Sequence, residues 1–456
     1  MQTYGGPICP HSFARGRSCA GVHHKFQQYR YAVDRIARGK YTDWIFLIPI
    51  VMLALFKNIR YFFQLLNSER GLPQSDDGTW YINYANTFIV NLTDGLDMND
   101  VLYLGYNALL TGLLTVLQDP AYVVLIQAVT AALSTITVYK IAQLLFNRTT
   151  AIIAALFYCL SFDVTLWAMY ILSDSFFVSL LLLCVFFLLK ALDSPNRKYR
   201  LMFFLTSFYL AIFKPTGLLS LLFIAFYVLV RVDRKTLTAF LHKHRVVLGG
   251  LALFACCAVV YLYGSNKLET LVTSLQFNAK KVLYNIYARG WIYDKPTSFD
   301  HFFRPNYTID ILDSLIVSFI VNNWDHISIV YVRRALAFIG RWTWENDLTT
   351  LTGTIMFLRQ TFIPVLFVAG TAAAIRHKLF RRASILWLMV FSVFLFCVIF
   401  FIDWMYRYKL PAIPFIAIVA AYGAEGLFAF LLRMINKHTG LLSDEPRENS
   451  RCHSGV

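Results

Sequence analysis

Val101-Leu102-Tyr103-Leu104-Gly105-Tyr106-Asn107-Ala108-Leu109-Leu110-Thr111-Gly112-Leu113-Leu114-Thr115-Val116-Leu117 is the stretch on which the topology turns. It is apolar, but its 17 residues fall short of the roughly twenty that a helix needs to cross a bilayer. Tyr103, Tyr106 and Asn107 place polar atoms in its opening turns. Read as a helix lying in the outer membrane interface, it leaves the later basic clusters on one side. These are Arg197-Lys198-Tyr199-Arg200, the run from Arg231 to Arg245, and Arg376 to Arg382. Read as a span, it turns all of them outward. Short loops rich in Lys and Arg stay cytoplasmic, so the interfacial reading is adopted and fixes the direction of every later segment.

Outward from that stretch, hydropathy predicts ten spans: Trp44 to Leu65, Tyr122 to Phe146, Ala151 to Leu172, Phe176 to Leu192, Leu201 to Phe213, Leu218 to Val230, Val246 to Tyr263, Phe362 to Ile375, Leu386 to Ile402 and Pro414 to Leu432. Residues 1–43 and 433–456 are polar tails, both expected in the cytoplasm, and residues 44–432 form one membrane domain. The N-terminal tail is basic and lacks the short apolar core and cleavage site of a signal peptide, so an uncleaved first span is expected. Two long loops, 66–120 and 264–359, fall outside; the second is polar and aromatic, with an amphipathic helix expected over Ile327 to Gly340. Its arginines do not disturb the orientation, because long loops translocate largely regardless of charge. Lys57 and Arg60 stand near the outer part of the first span, where they can snorkel or mark its exit from the membrane.

Composition agrees with an all-α polytopic membrane protein. Of 456 residues, 58% are hydrophobic, 16% aromatic and only 15% charged, and the mean hydropathy is +0.55. The net charge of +16 lies in short segments between apolar runs, so it speaks for orientation and anionic lipid rather than nucleic acid. The eight cysteines show neither CxxC nor Cys/His metal spacing, and none lies in the long outer loops. No cofactor is called for by the sequence, and a divalent metal stays open. Asn91-Leu92-Thr93 is a glycosylation sequon if the chain is eukaryotic.

The unusual polar residues gather at span ends on the outer face. Leu72-Pro73-Gln74-Ser75-Asp76-Asp77-Gly78-Thr79-Trp80-Tyr81 puts two adjacent carboxylates in a turn beyond the first span. Asp174 lies just before the fourth span, Lys214 lies between the fifth and sixth, and Asp403, Arg407 and Lys409 lie between the last two. A surface turn, snorkelling or an ion pair explains each one alone. Jointly, carboxylates facing cations at a membrane surface suit transfer from a lipid-linked anionic donor: Arg and Lys hold a phosphate while a carboxylate takes the proton of an acceptor hydroxyl. Neither GxxxxGK[ST] nor a strand-to-helix GxGxxG occurs. A transporter or flippase is the competing class, but its charges are expected nearer mid-span. A lipid-linked glycan ligase or polymerase would share the chemistry and differ in acceptor.

The order Ser75-Asp76-Asp77-Gly78-Thr79-Trp80-Tyr81, Leu172-Ser173-Asp174-Ser175, Phe213-Lys214-Pro215-Thr216-Gly217 and Met405-Tyr406-Arg407-Tyr408-Lys409-Leu410-Pro411-Ala412-Ile413-Pro414 resembles the GT-C polytopic glycosyltransferases. The likeness is greatest to the branch holding protein O-mannosyltransferases and the lipid A aminoarabinose transferase. It implies a transfer at the non-cytoplasmic face from a polyprenyl-phosphate sugar to a lipid, glycan or protein acceptor. In the plasma membrane of a bacterium this would serve the cell envelope; in a eukaryote the membrane would be that of the endoplasmic reticulum. By the same resemblance Asp76 or Asp77 is the base, Asp76 favoured as the first acid of the motif. Lys214, Arg407 and Lys409 would bind the donor phosphate, with Tyr81, Asp174 and Tyr408 positioning acceptor or donor. The family often has Asp-Glu where this chain has Asp76-Asp77, and Arg-Pro where it has Lys214-Pro215.

Overall fold

The computed structural model describes residues 42–88, 102–232, 234–243, 245–264, 273, 277, 280–292, 296–298, 300–340, 346–400 and 405–439. The sequon, Asp403 and most of both tails lie outside the described residues. The chain divides into two compact units, residues 1–49 and 50–456. Of the first, only the opening turns of α1 (Thr42–Leu66) are described.

Among the described residues the second unit is helical without strands. After α1 comes α2 (Asp76–Asn86), whose start follows from local chemistry: Ser75 is extended and its hydroxyl accepts from the Gly78 N–H at 3.1 Å. Asp76 and Asp77 then occupy the first turn, where the helix dipole favours negative charge. The deciding stretch forms α3 (Leu104–Leu117), a helix of 14 residues that stops at Gln118 in the left-handed region, φ 60°. α3 packs on α2 and on α8 (Arg197–Phe213). Asp119 caps α4 (Pro120–Leu145), with Pro120 at its first position, as a proline without an N–H permits.

The predicted span from Ala151 to Leu172 is not one helix. α5 (Arg148–Leu160) ends at Ser161, which is extended, and α6 (Phe162–Trp167) follows. The carbonyls freed by the break are met from α1: the Lys57 ammonium donates to the carbonyls of Cys159 and, at 3.1 Å, of Ser161. A basic side chain on the last carbonyls of a helix offsets their unmade hydrogen bonds. α7 (Ser173–Asp193), α8, α9 (Pro215–Arg231), α10 (Arg234–Lys243) and α11 (Arg245–Gly264) continue in the expected order.

In the second long loop, α12 (Leu315–Asn322) and α13 (Trp324–Gly340) meet at a bend of 86°. The corner is Asn323, whose side-chain amide is buried and donates to the Phe319 and Asn306 carbonyls at 2.7 and 2.9 Å. α14 (Leu351–Arg376) begins well before the predicted Phe362, so the outer loop is shorter than its sequence reading. α15 (Phe380–Phe394), α16 (Met405–Tyr408) and α17 (Ile413–Thr439) complete the chain.

Among the described residues, six helices are long and apolar enough to cross a membrane, or seven if the bent pair counts as one span. Of the ten spans hydropathy predicts, α5, α8 and α9, at 13, 17 and 17 residues, fall short of the roughly twenty that cross a bilayer, while α11 covers the Val246 to Tyr263 segment. The protein is thus an integral, multi-pass membrane protein. α17 packs against α14, α5 and α15, and α7 against α8 and α4. Close approach of α14 and α17 needs two glycines: a Cβ on Gly370 would lie 2.0 Å from the Val419 carbonyl oxygen, and one on Gly423 2.1 Å from that of Leu366. Small residues at such crossings let backbones touch where apolar burial alone gives little drive between helices.

Candidate active site

Four charged residues from separate elements converge. Asp174, the second residue of α7, is wholly buried, and both its oxygens are used: Oδ1 accepts from Lys214 Nζ at 2.5 Å and Oδ2 from Arg407 Nε at 2.8 Å. Arg407 Nη1 reaches on to Asp77 Oδ2 at 2.5 Å. Lys214 and Arg407 are nearly as buried as Asp174, at 2% and 4% exposure, whereas the Asp77 side chain is 52% exposed. The network therefore opens to the surroundings at Asp77.

Each member is held by a local feature of the sequence. Lys214 stands at the corner between α8 and α9, extended (φ −162°, ψ 147°), because Pro215 cannot continue α8 and instead starts α9. The corner is tight enough that a Cβ on Gly217 would lie 2.0 Å from the Leu210 carbonyl oxygen. Arg407 belongs to the single turn α16, anchored by the buried Leu410, Pro411 and Ala412. Tyr408 lies against both cations, with Lys214 Nζ 4.8 Å and Arg407 Cζ 5.3 Å from its ring centroid. The next residue, Lys409, has its ammonium over the Phe338 ring at 5.3 Å.

The two carboxylates of α2 part company. Asp77 joins the network, while Asp76, exposed, has no ion pair among the described residues. Successive helical residues point about 100° apart, so one helix cannot aim both at the same partner. Tyr81, one turn further along α2, is buried and packs edge-on against Tyr103 and Tyr106, at 5.7 and 4.8 Å between centroids. Tyr106 in turn meets Phe213, next to Lys214, at 5.7 Å.

Tyr103 and Tyr106 were noted in the sequence only as reasons against a span; in the structure they join the carboxylate loop to the Lys214 corner. Their signal was their spacing, two phenols in an otherwise apolar helix start. Burial, followed by the nearby Asp174 carboxylate, pushes the Tyr103 phenol up to about 12. Burial likewise holds Tyr81 well above its ordinary value. Both are donors at any physiological pH, not bases.

Beside the network lies a narrow crevice between α7, α9 and α15, with room for little more than a water. Asp174, Lys214, Thr216 and Tyr408 form its polar end, while Phe177, Leu219 and Phe396 supply apolar wall. The Thr216 hydroxyl is buried without a hydrogen-bond partner among the described residues. Among the described residues no group of three or more His, Cys, Asp or Glu is placed to hold a metal ion. The charges cluster at helix ends and corners, not at mid-helix.

Residues 106–261 match the family described as dolichyl-phosphate-mannose-protein mannosyltransferase. The matched segment includes Asp174 and Lys214 but neither Asp76, Asp77 nor Arg407. The comparison with curated proteins returns no match. Among solved structures, the chain is similar to the archaeal oligosaccharyltransferase of Archaeoglobus fulgidus, solved in complex with an inhibitory peptide and a dolichol-phosphate, at 14% identity and a TM-score of 0.47. That likeness covers 88% of this chain and 52% of the other, so the chain spans about half the length of that protein. Residues 106–261 thus carry the pattern of that family, over about a third of the chain.

Proposed function

We propose that the protein transfers a sugar from a polyprenyl-phosphate donor to an acceptor hydroxyl at the non-cytoplasmic face. The observation that carries this reading is the pairing of two buried cations, Lys214 and Arg407, across one buried carboxylate, beside a crevice with a polar end and apolar walls. The matched family is named for a donor of that chemistry.

In this reading the phosphate meets the cations at the polar end and the isoprenoid leaves past the half-buried Leu219 and Phe396. Asp77 is the exposed arm of the network, so an arriving phosphate can take its place on Arg407 and release its carboxylate. Asp77 then accepts the proton of the acceptor hydroxyl, whose oxygen bonds to the anomeric carbon. The carbon–oxygen bond to phosphate breaks, and the electron pair leaves on a phosphate oxygen held by Arg407 and Lys214. Asp174 is a positioning residue, since both its oxygens are occupied in holding the two cations. Asp77 is preferred to Asp76 because its carboxylate alone reaches Arg407; Asp76 supports the helix start and faces the acceptor side. Lys409 is assigned a peripheral part in holding α16 against α13. With two cations neutralising the leaving phosphate, transfer is expected to persist in EDTA.

The purified full chain should glycosylate an acceptor from a polyprenyl-phosphate sugar and ignore nucleotide sugars. Turnover with a nucleotide sugar and no lipid carrier would remove the reading. Protein, lipid and glycan acceptors offered in parallel would identify the acceptor class.

A further inference from the structure

A second cavity, of about 320 Å³, lies along α1, away from the site just described. Leu53, Lys57, Arg60 and Gln64 line it at intervals of three or four residues and so form one stripe of the helix, closed on the far side by Phe162 of α6. The stripe runs about 16 Å along the axis, at about 1.5 Å per residue. Its two ends differ in character. Leu53 and Phe56 are exposed hydrocarbon at one end; Arg60 and Gln64 are polar at the other.

The two cations do different things. Lys57 is engaged with the α5 carbonyls at Cys159 and Ser161. Arg60 is exposed and has no polar partner among the described residues, and no carboxylate lines the cavity. α1 is fixed independently of this stripe, since Asn58 on another face donates to the Ala128 carbonyl at 3.0 Å and accepts from Thr165 at 2.7 Å. The groove is therefore preformed, positive at one end and apolar at the other. An arginine left without a partner on a membrane helix is costly unless an anion or water meets it.

We propose that this groove binds a membrane lipid with a phosphate-bearing, net anionic headgroup, the phosphate on Arg60 with support from Lys57 and Gln64, and one acyl chain along Leu53 and Phe56. The lipid would fill the gap between α1 and α6 and secure the break between α5 and α6. Charge complementarity and the head-to-tail polarity of the groove select this occupant over a soluble anion, which would leave the apolar end empty.

The test is native mass spectrometry of the full chain released from detergent and titrated with phosphatidylglycerol, phosphatidylcholine or inorganic phosphate. One phosphatidylglycerol should be retained in preference to phosphatidylcholine. Arg60→Gln should weaken that retention by about tenfold, the scale of one charge-assisted hydrogen bond, and Arg60→Lys by less. Arg200→Gln, in a basic cluster remote in sequence, controls for general attraction of anionic lipid and should leave it unchanged. Arg60 is exposed, so its variants should fold; equal thermal midpoints without added lipid would establish this. Equal retention of phosphatidylcholine, displacement of the lipid by inorganic phosphate, or equal loss in Arg60→Gln and Arg200→Gln would each overturn the proposal.

Discussion

Asp77 and Arg407 lie 330 residues apart in sequence and touch at 2.5 Å, and the chemistry proposed for them predicts different kinetic signatures. Asp77→Asn keeps the shape and should cut turnover by about a hundredfold to ten-thousandfold, the usual range for a general base, with donor binding nearly kept. Asp76→Asn should cost far less. A larger loss at Asp76 would exchange the two roles, and normal turnover in both would end the catalytic assignment. Arg407→Ala should raise the Michaelis constant for donor and lower turnover together, since charge on the phosphate grows as the bond breaks. Arg407→Lys should restore only part, because an ammonium cannot span Asp77 and Asp174 as the guanidinium does. Unchanged kinetics in Arg407→Ala would remove Arg407 from the phosphate site.

Tyr103, with its phenol at about 12 in the folded protein, should stay protonated across the working range. Tyr103→Phe should therefore lower activity without moving either limb of the pH–rate profile; a limb lost in that variant would make Tyr103 a titrating participant. The sign for stability follows from linkage. The folded value lies above the unfolded one near 10, so the contribution is whole below about 10 and is lost as the pH rises through about 12.

At the scale of the element, the corner between α8 and α9 places Lys214, and its tightness depends on Gly217. A methyl group there would overlap the Leu210 carbonyl oxygen, at 2.0 Å, so Gly217→Ala must open the corner. Overpacking of this kind costs about 1–3 kcal/mol. It should also pull Lys214 from Asp174 and raise the donor Michaelis constant. Gly423→Ala, where α17 crosses α14 at similar closeness, is the matched control: it should lower the thermal midpoint in detergent and leave the donor constant alone. If the two variants affect the donor constant equally, the corner has no special part in binding. The same element explains the Lys214-Pro215 pair physically, since proline stops α8 and its fixed φ starts α9 in one step.

At the scale of the whole molecule, the proposed chemistry requires the α2 end of the bundle to face away from the cytoplasm and the basic turns near Arg200 to face it. In a variant freed of native cysteines, Asp76→Cys should react with an impermeant maleimide on intact cells. Arg200→Cys should react only after permeabilisation. The reverse pattern would invert the topology, and with it the reading of residues 101–117 as an interfacial helix. α3, at 14 residues and packed on α2 and α8, is of a length that suits the interface better than a span.

Sequence alone determined the elements that local forces control. Hydropathy and length located α1, α4, α7, α15 and α17, and the turn residues around Ser75 and Pro215 mark where chain direction changes. It also pointed to Asp77, Asp174, Lys214 and Arg407, because a charge at the end of an apolar run is costly and stands out. Tertiary structure alone decided which of these meet. Hydropathy and periodicity report a residue's surroundings along its own helix, whereas the contacts from Asp174 to Lys214 and Arg407 cross 40 and 233 residues and depend on how helices pack. For the same reason the sequence could not separate Asp76 from Asp77 or foresee the Phe338 ring under the Lys409 ammonium. Nor could it foresee that the predicted span from 151 to 172 breaks at Ser161, since the donor that satisfies the broken turn, Lys57, comes from another helix.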